Sequence, residues 1–304
     1  MGAPTVIANA IAAGLLTLMS MAPALADASS PLLASYYDRH MAVLGGVAHG
    51  WTAQGQPRPM RTDVAQVGVS ADAFFALTTT GALLRWADDP RQAIELKADV
   101  VRFAVGASGW MAIDRVGVLW QSRGGQPAVR VADNVAEVCV GDSADYYITR
   151  SGQLFAQGLA HRGQYGDGRL QATPGYVPTA GDAVSVKAHT GHAIHLRRDG
   201  TVMGTGGNRF GPLSSHGLGD KADRWGAIFS GAVAIATGSR HSLAVRADGS
   251  LWAWGEGFAI APAQVMDGVT AVAAGDTATI ALGRDGSLWQ WDAGRGPRRL
   301  VPLK

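Results

Sequence analysis

The sequence predicts an all-β fold, a seven-bladed β-propeller of four-stranded antiparallel blades, and three observations carry that expectation. One phrase, "HSLAVRADGSLWAWGEG" from His241 to Gly257, returns almost unchanged as "TIALGRDGSLWQWDAG" from Thr279 to Gly294. A glycine opens the same G-x-apolar segment seven times, at Gly46, Gly81, Gly117, Gly152, Gly200, Gly249 and Gly286. From the second copy onward a marker residue stands eleven positions earlier, at Ser70, Gly106, Gly141, His189, Gly238 and Gly275. An apolar residue precedes each marker by three: Val67, Phe103, Val138, Val186, Ile235 and Val272. Self-similarity of this kind is the mark of a repeat architecture, and units of four short strands are propeller blades.

Within a unit, each element follows from alternation and turn chemistry. The V-x-x-V stretch before the marker reads as strand A. A tight turn at the marker leads into strand B, with apolar pairs such as Ala76-Leu77, Ala112-Ile113, Ala244-Val245 and Ala281-Leu282. The next glycine, preceded by Asp in Asp199-Gly200, Asp248-Gly249 and Asp285-Gly286, is hairpin chemistry rather than an acid site. Strand C follows, with Leu251, Trp252 and Trp254 or Leu288, Trp289 and Trp291, whose tryptophans alternate with the apolar set and read as core. A connection often carrying Pro ends in a short strand D such as "PAQVM" or "PRRLVPL". Helical signals are nearly absent.

The first copy is degraded, yet counting back from Gly46 puts Leu32 and Ser35 at the strand A and turn positions. Because the units run in phase from A to D, the ring is expected to close by face packing between the first and last blades. Unit spacing is 35 or 36 residues for three steps, then 48 and 49, then 37. The two long units carry their excess after strand C, at Leu159 to Val177 and at Gly206 to Trp225.

Residues 1–26 hold no Asp, Glu, Lys or Arg and end in Ala24-Leu25-Ala26, the pattern of a cleaved secretory signal peptide, which leaves 27–304 as the propeller. The mature chain is therefore expected in the periplasm or outside the cell, and no later run is long and apolar enough to span a bilayer. Lys and Arg number 26 against 24 Asp and Glu, spread along the chain, which argues against a nucleic-acid binder. Cys139 is alone between Val138 and Val140, so it reads as a small buried hydrophobe.

The composite V-x-x-V-x-x-G-x-x-H-x-x-A-L-x-x-D-G-x-L-W-x-W-G, followed by "RGQYGDG", resembles the repeat of the regulator of chromosome condensation family. Its best copy is "AVAIATGSRHSLAVRADGSLWAWGEG", Ala232 to Gly257. The histidine of the repeat survives only as His192 and His241, and the Trp-Gly after strand C is intact only at Trp254-Gly255. The resemblance implies a seven-bladed propeller that presents a loop-rich face to a partner. Its nuclear founder is an exchange factor for a small GTPase, which a secreted chain would not meet. Secreted inhibitors of class A β-lactamases built from such repeats carry aromatic residues two positions after the marker. Here those positions hold Asp72, Ser108, Ser143, Gly191, Arg240 and Thr277, with Tyr37 in the degraded first unit, so that activity is not expected.

Catalytic and metal chemistry find little support. "HTGHAIH" sets His189, His192 and His195 three apart, but residues three apart on a strand point to opposite faces. Neither G-x-S-x-G, a phosphate loop, H-E-x-x-H nor a calcium loop occurs. No cofactor or metal is expected.

In an up-and-down meander the A–B and C–D connections emerge on one face of the disc and the B–C turns on the other. Both long insertions therefore share a face with the marker turns. They carry Arg162, Tyr165, Arg169, Arg209, Phe210, Arg224 and Trp225, joined on the A–B turns by Arg240, Asp72, Asp142 and Asp276. Arg, Tyr and Trp dominate interface energetics, which points to a monomeric, non-enzymatic module that binds a protein partner on this face. The bland alternative leaves these loops merely covering their own blades, with Phe210 and Trp225 tucked inward. A second function, carbohydrate binding or processing, would use Asp72, Asp142 and Asp276 about the central funnel.

Overall fold

Apolar residues alternating along four short segments per repeat produce four short strands per repeat. The computed structural model describes residues 32–52, 55–216, 219–292 and 295–302; the segment 1–26, expected to be a signal peptide, lies outside them. Blade 1 comprises β1 (Leu33–Tyr36), β2 (Arg39–Leu44), β3 (Val47–Thr52) and β4 (Arg58–Arg61). Blade 2 comprises β5 (Val64–Val69), β6 (Phe74–Thr78), β7 (Leu83–Trp86) and β8 (Ile94–Lys97). Blade 3 comprises β9 (Val100–Gly106), β10 (Gly109–Asp114), β11 (Leu119–Arg123) and β12 (Val129–Ala132). Blade 4 comprises β13 (Val135–Val140), β14 (Ala144–Thr149), β15 (Leu154–Gly158) and β16 (Thr173–Ala180). Blade 5 comprises β17 (Ala183–Ala188), β18 (His192–Arg197), β19 (Val202–Gly207) and β20 (Lys221–Phe229). Blade 6 comprises β21 (Ala232–Thr237), β22 (His241–Arg246), β23 (Leu251–Gly255) and β24 (Ala263–Met266). Blade 7 comprises β25 (Val269–Ala274), β26 (Ala278–Gly283), β27 (Leu288–Asp292) and β28 (Arg298–Leu300). Each blade is an antiparallel meander in chain order. The fold expected from the repeats is the fold observed.

The core is divided into seven apolar clusters, one at each blade–blade interface. Met41, Val67 and Trp86 fill the first, Leu83, Phe103 and Trp110 the second, and Ile194, Leu213 and Trp254 the fifth. The seventh joins Leu33 and Trp51 of blade 1 to Ile280 and Leu288 of blade 7. Strand A of every blade packs on the first two strands of the blade before it, and β1 meets β25 and β26 in the same way. Among the described residues no strand is exchanged to close the ring, so closure rests on this face packing, reinforced where Trp51 Nε1 donates to Gln290 Oε1 at 2.8 Å. Such burial contributes roughly 25 cal/mol per Å² of apolar surface at each interface.

The repeat glycines have mechanical reasons. At the marker, strand A presses on strand A of the next blade: a Cβ on Gly238 would lie 2.4 Å from the Gly275 carbonyl oxygen, and one on Gly275 would lie 2.5 Å from Ser35 Oγ. On the opposite face the B–C turn ties consecutive blades, because its glycine carbonyl accepts from the first amide of the next strand A. Gly81 accepts from Val100 at 2.9 Å, Gly152 from Ala183 at 3.0 Å and Gly249 from Val269 at 2.9 Å. The turn aspartates act as read from the sequence, Asp248 Oδ1 accepting the Ser250 amide and Asp285 Oδ1 the Ser287 amide.

The histidine triplet separates as alternation requires. His192 Nε2 reaches Ser242 Oγ of blade 6 at 3.0 Å, and His241 Nε2 reaches Thr279 Oγ1 of blade 7 at 3.1 Å. The repeat histidine thus pins its blade to a hydroxyl on the following blade. Burial holds both rings neutral, lowering His192 to about 3 and His241 to about 4. His195 faces the other way, edge-on to Trp225 at 4.6 Å. Cys139 is buried, and desolvation pushes its thiol up to about 12.

Candidate functional site: the loop-bearing face

Backbone pairing between the turns confirms which connections share a face. The end of strand C donates to the A–B turn of its own blade, as Leu159 N to Ser143 O at 2.7 Å, Gly207 N to Gly191 O at 2.8 Å and Glu256 N to Arg240 O at 2.9 Å. Both long loops therefore rise beside the marker turns.

Each loop leans on the next blade. The blade 4 loop reaches blade 5: Thr205 Oγ1 donates to Gly163 O at 2.7 Å, Gly168 N to Asp223 O at 2.8 Å and Trp225 N to Gly166 O at 3.0 Å. The blade 5 loop reaches blade 6, where the Pro212 carbonyl accepts from Trp254 Nε1 at 2.7 Å and from Ser242 Oγ at 2.9 Å. Close backbone approach dictates the glycines, since a Cβ on Gly163 would sit 2.4 Å from Asp223 Cα. The loops are clamps before they are anything else.

This arrangement sorts the candidate residues. Tyr165, expected at the interface, is fully buried, and its hydroxyl lies 2.8 Å from the Gly158 carbonyl that accepts from it. Leu213 is equally buried. Both stand two residues after a loop glycine, Gly163 or Gly211, and each plugs its loop onto a core cluster. Trp225 is also turned inward, half-buried over Gly166 and against His195. These two aromatic candidates are corrected to structural roles, because an apolar body gains more from the blade interface than from solvent.

The residues just before the loop glycines point outward. Arg162 is exposed beside Gly191 and Gly207, and Phe210 is 38% exposed. Contrary to the inward placement of Phe210 in the bland alternative, its ring stands between two guanidinium groups, Arg240 at 4.4 Å and Arg209 at 5.7 Å from the centroid. Arg240 is also fixed by Glu256, both carboxylate oxygens lying 3.1 Å from Nη1. Ile260, 65% exposed, continues the apolar surface next to Gly211. Arg169 pairs with Asp167 at 3.1 Å, and exposed Arg224 lies over Gly168. Cation–π contact of this kind holds an aromatic ring in the open at a cost of little mobility.

The three aspartates do not form one acidic constellation. Asp72 is drawn toward Arg85 of β7 at 2.7 Å, away from the axis. Asp142 is half-buried at the axis, where Tyr36 of blade 1 donates to Oδ1 at 2.9 Å and Thr190 to Oδ2 at 3.1 Å. Asp276 lies close enough that its charge helps raise the Tyr36 hydroxyl pKa, an effect led by burial and by the hydrogen bond to Asp142. The same cluster includes His189, stacked on Tyr36 at 5.5 Å and bonded through Nδ1 to Thr190 and Ser239. Sequence reasoning named Asp142 and Asp276 but missed Tyr36 and the contacts that join them, since the members come from blades 1, 4, 5, 6 and 7 and share no motif. Among the described residues no group of three or more His, Cys, Asp or Glu is placed to hold a metal ion.

Residues 232–258 match the family model for the regulator of chromosome condensation (RCC1) repeat. The chain is similar to a Danio rerio protein, Protein RCC2 homolog, with 30% identity over 201 residues that cover 56% of this chain and 39% of the relative. It thus spans about two fifths of the length of that relative. Among solved structures, Prp20p of Saccharomyces cerevisiae, described with its binding to Gsp1p and histones, superposes with a TM-score of 0.69 at 15% identity, covering 82% of this chain and 81% of that one. PorZ of Porphyromonas gingivalis, a bacterial surface component of the type-IX secretion system, gives 0.61 at 14% identity over 89% of this chain and 38% of its own. With the seven repeats, the repeat-model match and these superpositions together, the chain is a seven-bladed β-propeller that carries an RCC1 repeat at 232–258 and is similar to RCC1-like proteins.

Proposed function

We propose that this propeller is a secreted or periplasmic protein-binding module, without catalytic activity of its own, that engages one protein partner on the face bearing the two long loops. The observation that carries this reading is Phe210, which stands solvent-exposed with the Arg209 and Arg240 guanidinium groups over its ring, on a loop that Leu213 already anchors by full burial. A loop needed only as a clamp has no use for a second, exposed aromatic anchor. Rigid aromatic and arginine anchors surrounded by polar groups are the usual energetic centre of an interface. Arg162 and Arg169 on the blade 4 loop and Arg224 of β20 extend the surface, and the binding of Prp20p to Gsp1p and histones supports a protein as the ligand class.

Carbohydrate processing is the weaker reading here, because Asp142 already serves Tyr36 and Thr190, and Asp72 serves Arg85. The test is affinity capture from the native envelope and medium fractions with the wild-type chain and with Phe210→Ala/Arg209→Glu. Surface substitutions are preferred to loop deletion, which would remove Tyr165 and Leu213 from the core. One protein held by the wild type and released by the variant is expected; equal retention by both baits places the partner site elsewhere.

A further inference from the structure

The strands nearest the axis enclose a channel of ≈ 740 Å³. Small residues keep it open, among them Ala34, Gly68, Ala104, Ala188, Ala234 and Ala273 from six different blades. On the loop-bearing face, side chains shut it. Tyr36 crosses from blade 1 to Asp142 of blade 4 and stacks on His189 of blade 5, and Tyr36 and His189 are each only 7% exposed. The lining continues at the other end to Arg197, Arg198 and Gly200 of the blade 5 B–C turn and Ala247 of blade 6. The channel is therefore a blind pocket entered from the B–C face.

Its walls are chiefly apolar, with Val69, Phe103, Val105, Ile235 and Val272 contributing. One wall carries charge: Glu137 accepts from Arg102 at 2.7 Å and from Lys187 at 3.0 Å, and the Lys187 side chain remains 34% exposed. The ionised lining residues are four cations, Arg102, Lys187, Arg197 and Arg198, against two carboxylates, Glu137 and Asp142. Asp182 at the mouth serves both Arg197 and Arg198, and His189 is kept neutral by burial. Cations still exceed carboxylates. In a pocket walled by apolar groups, such an excess attracts an anion more strongly than it would in water. The volume is that of a pocket for a small organic ligand.

The geometry points to a binding site, in the axial channel, for a small amphipathic monoanion whose apolar body lies along the strands and whose anionic head meets Lys187. The channel opens at the opposite end of the axis from the surface proposed for a protein partner, with Lys187 in its depth two residues before His189, and the proposal stands independently of that surface.

Calorimetric titration of the full chain with octanoate, octanol and octylammonium separates charge from apolar contact. Octanoate binds at least about tenfold more tightly than octylammonium if a charge-assisted bond to Lys187 contributes. Lys187→Met lowers octanoate affinity by about the same factor and leaves octanol unchanged, whereas Ala234→Phe, which fills the channel, removes all binding. Thermal melts show whether either variant has folded, and the charge series on the wild type stands without them. The proposal is overturned if octanoate fails to bind at millimolar concentration, if the three probes bind equally, or if folded Lys187→Met and Ala234→Phe variants bind octanoate as the wild type does.

Discussion

Leu213 and Phe210 lie three residues apart in one loop and have opposite fates, one fully buried and one 38% exposed. Their substitution should separate stability from recognition. Leu213→Ala leaves a cavity in the interface between blades 5 and 6 and is expected to cost about 2–5 kcal/mol in chemical denaturation. Phe210→Ala removes an already exposed ring and should change stability by less than about 0.5 kcal/mol while abolishing partner retention. Tyr165→Phe, which leaves the Gly158 carbonyl and Thr173 without that hydroxyl, should cost about 1 kcal/mol and spare binding. These assignments were only partly legible in the sequence. Residue type marks Arg, Tyr and Trp as interface formers, but orientation depends on which blade the loop reaches. Tyr165 thus packs inward where an interface position is expected, and Trp225, for which an inward placement is the alternative, packs inward too. Aligning the loops on Gly163 and Gly211 would have exposed the pattern, since Tyr165 and Leu213 then share one position and Arg162 and Phe210 another.

At the scale of the element, the sequence was far more explicit. Strand boundaries, hairpin turns and the recovered first blade follow from a two-residue period and from turn glycines, signals that are local and repeated. The Trp-Gly after strand C shows where the motif misleads, because its two halves are kept in different blades: the tryptophan as Trp51, Trp86, Trp254 and Trp291, the glycine as Gly158, Gly206 and Gly255. Gly158, Gly206 and Gly255 stand at or one residue before the end of strand C in blades 4, 5 and 6, with φ of 120°, 100° and 101°. A Cβ at Gly255 would come 2.5 Å from the Arg240 carbonyl oxygen. Gly255→Ala is therefore expected to lower stability by about 2 kcal/mol or more and to loosen the Arg240 turn. Denaturation curves report the first effect, and slower amide protection loss at Glu256 in the wild type than in the variant reports the second. The hydroxyl partners of His192 and His241 were not legible, since nothing in one repeat says which residue of the next will face it.

At the scale of the molecule, among the described residues six of the seven interfaces carry the same B–C turn hydrogen bond, and buried neutral histidines make the ring sensitive to acid. Burial lowers His40, His195 and His241 to about 4 and His192 to about 3, from 6.5 in the unfolded chain. Below pH 6.5 the unfolded chain takes up protons that the folded chain refuses, so stability present at neutral pH is lost as pH falls from 6.5 toward 4. Each histidine contributes a slope of up to about 1.4 kcal/mol per pH unit in that window. Asp145, raised to about 6 chiefly by burial, acts in the opposite sense between 3.8 and 6, but it is one group against four. Denaturation midpoints should fall on acidification, and His192→Asn, which can still bond to Ser242, should reduce the slope.

The central claim, that this propeller recognises a protein through its loop-bearing face, is tested most directly by hydrogen–deuterium exchange on the captured complex. Binding is expected to slow exchange across 159–172, 208–220 and the Arg240 turn while leaving the B–C turns near Arg115, Arg150 and Arg284 unchanged. Protection confined to the B–C turns, with the two loops exchanging as in the free protein, would contradict it.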